Sequence, residues 1–249
     1  MKVHPIFSSS QGNCCVVYTD NTKILLDVGV SWKKATNASH LDNLDAIFCS
    51  HSHGDHISGA GIAGRKTGKT IYLPREAFEK KAELFTKCKI KYITGGDVTT
   101  VGDFSVLSVS TRHDTKNSLA FIVEEIQTGK RFGLLTDTGS ISKVIRIKFS
   151  DCNGYLIETD YDPQLLLDFP DYDEYLKERI SSPWGHLSTD QAIEFIQENL
   201  NLDKIDWILL GHISQNTNTP ELVLEKIYKA FPDYKEKFTC APTAEPYEL

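Results

Sequence analysis

Residues 51–56 read His51-Ser52-His53-Gly54-Asp55-His56. The apolar run 46–49 precedes them and predicts a strand that ends where these polar residues begin. In an extended backbone, residues two apart point to the same side, so His51 and His53 can converge on one cation. The turn that Gly54 permits would direct Asp55 and His56 toward a second cation. So many polar side chains would be costly to bury without partners, and the stretch therefore predicts a metal-binding loop.

Three more polar residues follow apolar runs further along the chain. They are His113 after run 104–111, Asp137 after run 133–136 and His212 after run 208–211. Taken singly, each has an ordinary interpretation, either a histidine at a strand end or an aspartate that caps a turn. Together with the histidine-rich loop they become candidate ligands, since all of these residues share the pattern of an apolar strand that runs into a polar side chain.

Composition places the chain among soluble globular proteins. Its 249 residues include 27 Lys+Arg and 34 Asp+Glu, which gives a formal net charge of −7, and 40% of the residues are hydrophobic. We find no apolar run of the roughly 20 residues that cross a bilayer, and no signal-peptide core in the first residues. We therefore expect no membrane partner. Six scattered cysteines favour reduced thiols in the cytoplasm (the host cytoplasm if the chain is phage-encoded). The acidic balance disfavours nucleic acid.

The order of elements predicts the fold class. Strands are expected at 3–7, 14–19, 23–27, 45–50, 70–73, 90–94, 104–111, 118–124, 131–136, 154–158 and 207–210. Helices are expected near 57–65, from Pro74 towards Leu84, near 172–180, after the Ser188 capping box, and from Pro220 through Phe231. Many early strands with helices along both halves predict an α/β protein, a four-layer αββα sandwich in a single domain spanning 1–249.

The motifs resemble those of the metallo-β-lactamase superfamily. Residues 51–56 look like its HxHxDH signature, and His113, Asp137 and His212 occupy the places of its later metal motifs. The motif order over nearly the whole chain is similar to that of WalJ-type (YycJ-type) proteins and of the anti-Pycsar phosphodiesterases of bacteriophages, both related to the RNase Z branch. The stretches that carry this resemblance are 7–14, 26–29, 136–139, 157–160, 185–188 and 211–214.

The resemblance implies a centre of two divalent metal ions. One ion would be bound by His51, His53 and His113, the other by Asp55, His56 and His212, with Asp137 bridging the two. Imidazole and carboxylate ligands suit Zn²⁺, the expected metal, and are compatible with Mn²⁺. Two ions bridged by Asp137 would activate a water and stabilise charge on phosphoryl oxygens. Asp55, a ligand of one of the ions, is also predicted to be a catalytic residue.

The resemblance also implies a general acid. His186 matches the non-ligand histidine that RNase Z-like enzymes use to protonate a leaving oxygen, and Glu158 matches the glutamate that orients it. The stretch 157–160 keeps this glutamate but lacks the histidine that precedes it in RNase Z, which weakens a tRNA-processing function. The alternative is that His186 only caps the following helix.

Four polar residues outside these motifs are candidates for supporting roles. Asp27 is expected to position the metal loop from behind rather than to bind metal. Ser9, Asn13 and Asn216 are predicted to bind substrate, because serine and asparagine supply neutral donors to phosphate. The same residue types are common in turns, so a structural role is an equal alternative.

Two phosphodiesterase functions fit these residues. The bridging Asp137 argues against β-lactam hydrolysis, since β-lactamases of this fold generally lack it. The acidic charge and the absence of a basic arm favour hydrolysis of 3′,5′-cyclic nucleotides such as cCMP and cUMP to monophosphates, as in the phage anti-Pycsar enzymes that evade host defence. The alternative is a WalJ-like 5′-3′ DNA exonuclease, and only it makes nucleic acid a partner. We expect a homodimer from the resemblance. A metal-stabilised binding protein without turnover ranks last, because all seven ligands are present.

Overall fold

A computed structural model describes residues 1–39 and 41–249. The described residues form fourteen strands: β1 Lys2–Ser9, β2 Gly12–Tyr18, β3 Lys23–Leu26, β4 Ala46–Phe48, β5 Thr70–Leu73, β6 Lys89–Tyr92, β7 Val98–Val101, β8 Phe104–Ser110, β9 Leu119–Glu125, β10 Arg131–Leu135, β11 Gly154–Glu158, β12 Trp207–Gly211, β13 Phe238–Cys240 and β14 Tyr247–Glu248. They make two seven-stranded sheets, with strand orders β14-β1-β2-β3-β4-β5-β6 and β13-β12-β11-β10-β9-β8-β7.

Both sheets are mixed in the same way. In the first sheet β1, β2 and β3 pair antiparallel, whereas β3 to β6 pair in parallel. In the second sheet β7 to β10 pair antiparallel, whereas β10 to β13 pair in parallel. The parallel strands of each sheet end at one edge, where the loops that follow them can meet.

Helices cover the outer faces of both sheets. They are α1 Trp32–Ala38, α2 Gly54–Ile57, α3 Ala60–Thr67, α4 Arg75–Lys80, α5 Lys143–Phe149, α6 Pro163–Asp168, α7 Glu174–Ser181, α8 Thr189–Asn199 and α9 Pro220–Ala230, with 3-10 turns at Ala82–Phe85, Leu202–Lys204 and Pro232–Lys237. None of the helices in the described ranges has the length and apolar character that a membrane crossing needs.

Side-chain alternation along the strands produces the layers. On β3, Leu26 packs in the cluster between the two sheets, whereas Leu25 packs against the helices of the first sheet. On β10, Leu134 joins the central cluster and Leu135 packs against α5, α8 and α9. Because consecutive side chains point to opposite faces, these apolar strands bury both faces. The result confirms the four-layer αββα sandwich.

The sequence located most of the long elements but missed several short ones. The predicted helix at 57–65 is divided into α2 and α3, and the helix after Pro74 starts at Arg75 with Pro74 as its N-cap, ends at Lys80 and gives way to the 3-10 turn Ala82–Phe85. Elements α1, α5, α6, β7, β13 and β14 were not predicted. They are two to seven residues long, so hydrophobic periodicity has too few positions to show itself.

Candidate metal centre

Residues 51–56 lie in the loop that leaves β4, and the backbone there sorts them into two pairs. His51 and His53 precede α2, with His53 as its N-cap, whereas Asp55 and His56 lie on α2. Strand β4 runs between β3 and β5 in parallel, so the loop emerges at the edge where parallel strands end. Gly54, where the sequence predicted a turn, is therefore the first residue of α2.

Three histidines meet at one side of the loop. Ring nitrogens of His51, His53 and His113 all lie within 4.8 Å of one another. His113 follows β8, and its Nδ1 lies 2.9 Å from the backbone oxygen of Gly185, while its Nε2 lies 3.2 Å from Nδ1 of His53. The Gly185 carbonyl accepts the Nδ1 proton of His113, which leaves Nε2 as a lone-pair donor toward the cluster.

Asp55, His56 and His212 meet at the other side. Oδ2 of Asp55 lies 3.3 Å from Nε2 of His56 and 3.6 Å from Nε2 of His212. Behind them, Nδ1 of His56 lies 2.8 Å from Oδ2 of Asp27. Asp27 also accepts hydrogen bonds from the backbone nitrogen and hydroxyl of Ser50, at 2.7 and 2.9 Å. The expected positioning role of Asp27 is therefore present in the structure, because it holds the His56 ring with Nε2 directed into the cluster.

Asp137 stands between the two groups. Its Oδ2 lies 3.1 Å from Nε2 of His56, and its Oδ1 lies 3.5 Å from Nε2 of both His113 and His212. Asp137 and His212 have positive φ angles, 56° and 52°, at the ends of β10 and β12. Such backbone is uncommon outside glycine and persists where the surrounding structure holds it. The strand ends therefore turn sharply where these two side chains enter the centre.

Charge and burial oppose each other throughout this cluster. Burial lowers the pKa of His51 well below its ordinary value, with a further lowering from His56. Burial alone would raise the pKa of Asp137, but the neighbouring His212 and His56 hold it well below the usual range. Burial would lower the pKa of His56, yet the carboxylates of Asp137, Asp27 and Asp55 raise it well above normal. The centre is thus a set of buried carboxylates that requires positive charge.

The residues fit a pair of divalent cations. Nε2 of His51, Nε2 of His212 and Oδ2 of Asp137 are buried and lack a hydrogen-bond partner among the described residues. Buried polar atoms without partners are rare in folded proteins, and an ion is one explanation for them. Imidazole nitrogens with carboxylate oxygens form a donor set that suits Zn²⁺ or Mn²⁺. All seven predicted ligands are brought together, in groups that could each hold an ion.

His186 and Glu158 form a pair beside both histidine groups. Nδ1 of His186 lies 2.7 Å from Oε1 of Glu158, whose Oε2 accepts hydrogen bonds from the backbone nitrogens of Thr138 and Leu187 at 3.1 and 3.2 Å. The His186 ring lies 5.0 Å from that of His113 and 5.2 Å from that of His212, between centroids. His186 does not cap α8, because Ser188 does so in a complete capping box.

The pKa of His186 suits a group that carries a proton. Burial lowers it, but the charges of Glu158 and Asp160 outweigh burial and raise the pKa of His186 to about 9. Burial in turn raises the pKa of Glu158, although His186 partly offsets this. The pair therefore shares a proton at Nδ1 of His186, which leaves Nε2 as the atom that can exchange a proton with a substrate.

The three predicted substrate-binding residues have different positions. Asn13 is buried against the second group, with Nδ2 3.0 Å from Nε2 of His56 and 3.3 Å from the backbone oxygen of Asp55. The hydroxyl of Ser9 accepts from the backbone nitrogen of Gln11, and Asn216 donates to the hydroxyl of Tyr172. Among the described contacts, only those of Asn13 reach a candidate ligand, and a substrate role for the three residues stays a prediction.

Two charged residues of the centre were missed from the sequence. Oδ1 of Asp114 lies 3.2 Å from Nε2 of His53, and its Oδ2 lies 2.8 Å from Nε of Arg179 on α7. The hydrogen bond from His53 holds the pKa of Asp114 well below its usual range. Asp114 directly follows the candidate ligand His113, which was the available signal, but Arg179 is 65 positions further along the chain.

Comparison with known proteins identifies a matching family and two similar proteins. A model of the β-lactamase superfamily domain matches residues 22–205. Exodeoxyribonuclease WalJ of Streptococcus pneumoniae is 33% identical over 225 residues, covering 86% of this chain and 82% of the relative. Exodeoxyribonuclease YycJ of Bacillus anthracis is 30% identical over 224 residues, covering 86% of this chain and 83% of the relative.

Solved structures share the fold at lower identity. The metallo-β-lactamase fold protein YhfI of Bacillus subtilis aligns with a TM-score of 0.74 and 19% identity, over 99% of both chains. Zn²⁺-bound PqqB of Methylobacterium extorquens aligns with a TM-score of 0.75 and 14% identity, over the full length of both chains. At these identities the likeness concerns the fold alone.

Proposed function

Since the chain belongs to the β-lactamase superfamily, we propose that this metallo-β-lactamase-fold hydrolase is a metal-dependent exodeoxyribonuclease. The proposal has two supports. Two relatives of 30–33% identity that align over most of their length are named exodeoxyribonucleases. The site places Asp137 between two histidine groups with the His186–Glu158 pair beside it.

The position of Asp137 carries the proposal. Asp137 is one carboxylate in contact with histidines of both groups, His113 of the first and His56 and His212 of the second. A carboxylate shared in this way can hold two cations close together, at roughly 3.5–4 Å. Two divalent ions there would polarise a phosphoryl oxygen and supply a nucleophile at neutral pH. The seven residues of the metal set remain the proposed ligands, with Asp55 in the catalytic group because it joins the His56 and His212 side of the centre.

The residues around the centre would handle the proton that the reaction needs. Glu158 accepts the Nδ1 proton of His186 and is itself fixed by two backbone donors, so the imidazole ring cannot turn freely. Nε2 of His186 would then give a proton to the oxygen that leaves from phosphorus. Asp27, which contacts Nδ1 of His56, would keep that ring in place with Nε2 free for the ion.

Composition favours cyclic-nucleotide hydrolysis, whereas we rank the exodeoxyribonuclease function first. The net charge of −7 favours a small substrate such as cCMP or cUMP. That argument concerns the whole surface, whereas the alignments with the exodeoxyribonucleases concern this chain's own sequence over 86% of its length. Cyclic-nucleotide hydrolysis, a role against host defence, a homodimer and a cytoplasmic location stay predictions. So does the assignment of residues 1–249 to one hydrolase domain.

The test is a substrate panel with purified protein. We expect stepwise release of nucleotides from 5′-phosphorylated linear DNA with Zn²⁺ or Mn²⁺, and loss of release with a chelator. Covalently closed circular DNA is the matched control, because an exonuclease requires an end. In parallel assays, cCMP, cUMP, cAMP and cGMP test the competing substrate class. Hydrolysis of a cyclic nucleotide with intact linear DNA would overturn the proposal in favour of the other phosphodiesterase function.

A further inference from the structure

Trp184 is a large aromatic side chain that the fold leaves in solvent. Its side chain is 58% exposed, although Gly185 and Leu187 in the same loop are buried. It lies two residues before His186 in the stretch that joins α7 to α8. Single exposed apolar side chains are ordinary on protein surfaces, so it is the position of the indole beside His186, rather than its exposure, that indicates a role.

The backbone that carries Trp184 is fixed on several sides. The hydroxyl of Ser140 donates to the backbone oxygen of Pro183 at 3.0 Å, and the Gly185 oxygen receives Nδ1 of His113 at 2.9 Å. Gly185 also packs so closely that a Cβ there would lie 2.1 Å from the backbone oxygen of Ile180. The loop is therefore held against the metal centre, and the indole projects from a rigid support.

Trp184 lines a cavity beside the metal centre. This cavity of about 480 Å³ is also lined by residues 110, 111 and 113–118, and His113 is the one proposed ligand among its described lining residues. His113 belongs to the first histidine group, and its ring lies 5.0 Å from that of His186. A molecule that fills the cavity therefore lies next to the place where a phosphodiester would be cleaved.

The polar groups of the cavity fit a nucleotide. Lys116 supplies a cation for a backbone phosphate, as basic side chains do in nucleic-acid grooves. The charge of Asp114 is already engaged by Arg179 at 2.8 Å and by His53 at 3.2 Å. An exposed indole above such a site offers a face on which any nucleobase can stack.

We propose that Trp184 is the stacking platform for a nucleobase of a single-stranded DNA end, next to the scissile phosphodiester. This inference rests on the proposed exonuclease function and adds a substrate class to it. A base at a duplex end is paired with the other strand and stacked on its inner neighbour, and it must give up both before it can turn onto the indole. The platform therefore favours a single-stranded or frayed end over a blunt duplex. The base can be of any type, because stacking does not distinguish sequences.

The experiment compares Trp184→Ala with Trp184→Phe on three substrates in the full chain with metal. The substrates are a 5′-phosphorylated single-stranded oligonucleotide, the same oligonucleotide with an abasic nucleotide at its first or second position, and bis(p-nitrophenyl) phosphate. We expect Trp184→Ala to lower kcat/KM on the intact oligonucleotide by about tenfold, the loss typical of one stacked base, and Trp184→Phe to restore most of it. Tyr175→Ala is the control, because Tyr175 is 74% exposed on α7 and does not line the cavity.

The abasic substrate separates stacking from damage to the loop. An abasic position should lower the wild-type rate about as much as Trp184→Ala does, and the two changes together should add little. A loss as large on bis(p-nitrophenyl) phosphate as on the oligonucleotide, or no loss on the oligonucleotide, would overturn the inference alone. Failure of the wild-type protein to shorten any DNA would overturn the proposed function and this inference with it.

Discussion

The two sheets contribute to the metal centre in different ways. The first sheet supplies four of the seven proposed ligands from one six-residue loop after β4, whereas the second sheet supplies one residue from each of three strand ends. The loop residues are sorted by a local helix start at Gly54. Asp137 and His212 instead depend on left-handed backbone at the ends of β10 and β12.

This difference teaches where each half of the centre obtains its rigidity. In the loop half, hydrogen bonds to neighbouring elements orient the rings. For example, Asp27 accepts a hydrogen bond from Nδ1 of His56. In the strand half, each residue follows a different strand of the second sheet, and Asp137 contacts histidines of both groups. We therefore expect a change at Asp137 to affect both ions, and a change at a loop residue such as His53 to affect one.

The largest expected effect is a loss of metal and turnover, and it should differ between variants of Asp137 and of His53. Asp137→Asn should lower metal content toward zero and kcat/KM by about 10³-fold or more, because charge stabilisation by metal is worth several kcal/mol. His53→Ala should also abolish turnover but retain more metal, since His53 belongs to the first group alone. Metal content by mass spectrometry with turnover on linear DNA measures both.

The matched control for this pair is Asp151→Asn. The Asp151 side chain is 89% exposed and lies in the loop before β11, whereas the proposed ligands of the second sheet lie after their strands. It should keep wild-type metal content and turnover. Equal metal content in Asp137→Asn and His53→Ala would break the comparison of the two halves. Full turnover by His53→Ala would refute its role as a ligand.

A smaller effect is expected at the proton donor His186, which lies in the loop between α7 and α8 and binds no ion in the proposed set. His186→Ala should slow cleavage by about 10²–10⁴-fold, the usual contribution of general acid catalysis, with metal content unchanged. Glu158→Gln should weaken the same step, since Glu158 orients the Nδ1 side of His186. The deficit should shrink for substrates with better leaving groups, and an equal deficit across leaving groups would argue against the general acid.

The same pair predicts a pH dependence. The carboxylates of Glu158 and Asp160 raise the pKa of His186 in spite of its burial. A general acid acts in its protonated form, so wild-type kcat on a substrate with a poor leaving group should fall as the pH rises through the pKa of His186. The pH profile of His186→Ala should lack this alkaline limb. A limb of the same position in the variant would assign it to another group.

The smallest effect, on metal affinity, is expected at Asp27, which contacts His56 of the loop half. Asp27→Asn keeps the shape of the side chain but removes the charge that faces Nδ1 of His56 at 2.8 Å. We expect metal affinity to fall by about 10–100-fold, as is typical for partners of metal-binding histidines, and kcat at saturating metal to change little. Titration of chelator-treated protein with Zn²⁺ measures the affinity. An unchanged affinity would show that the loop keeps its geometry without Asp27.

The sequence indicated the roles of these residues to different degrees. The hexapeptide 51–56 has a local pattern, so its ligands could be proposed directly from spacing. His113, Asp137 and His212 needed both the apolar runs before them and the family resemblance. Trp184 directly precedes the stretch 185–188, and no local pattern indicated a function for it. Arg179 had no signal at all, because its partner Asp114 is distant in the chain.

The sequence by itself determined the αββα sandwich and the candidate ligands, because strand alternation and ligand-rich loop spacing are local properties that the printed order of residues contains. Only the tertiary structure decided the hydrogen bonds that Asp114 and Asp27 accept from His53 and His56. It also decided the pairing of His186 with Glu158 rather than with a helix end, and the cavity that Trp184 and His113 both line. These depend on distances between elements that are far apart in the chain, such as β11 and the loop between α7 and α8. Such distances are set by the packing of the whole core, and short stretches of sequence do not contain them.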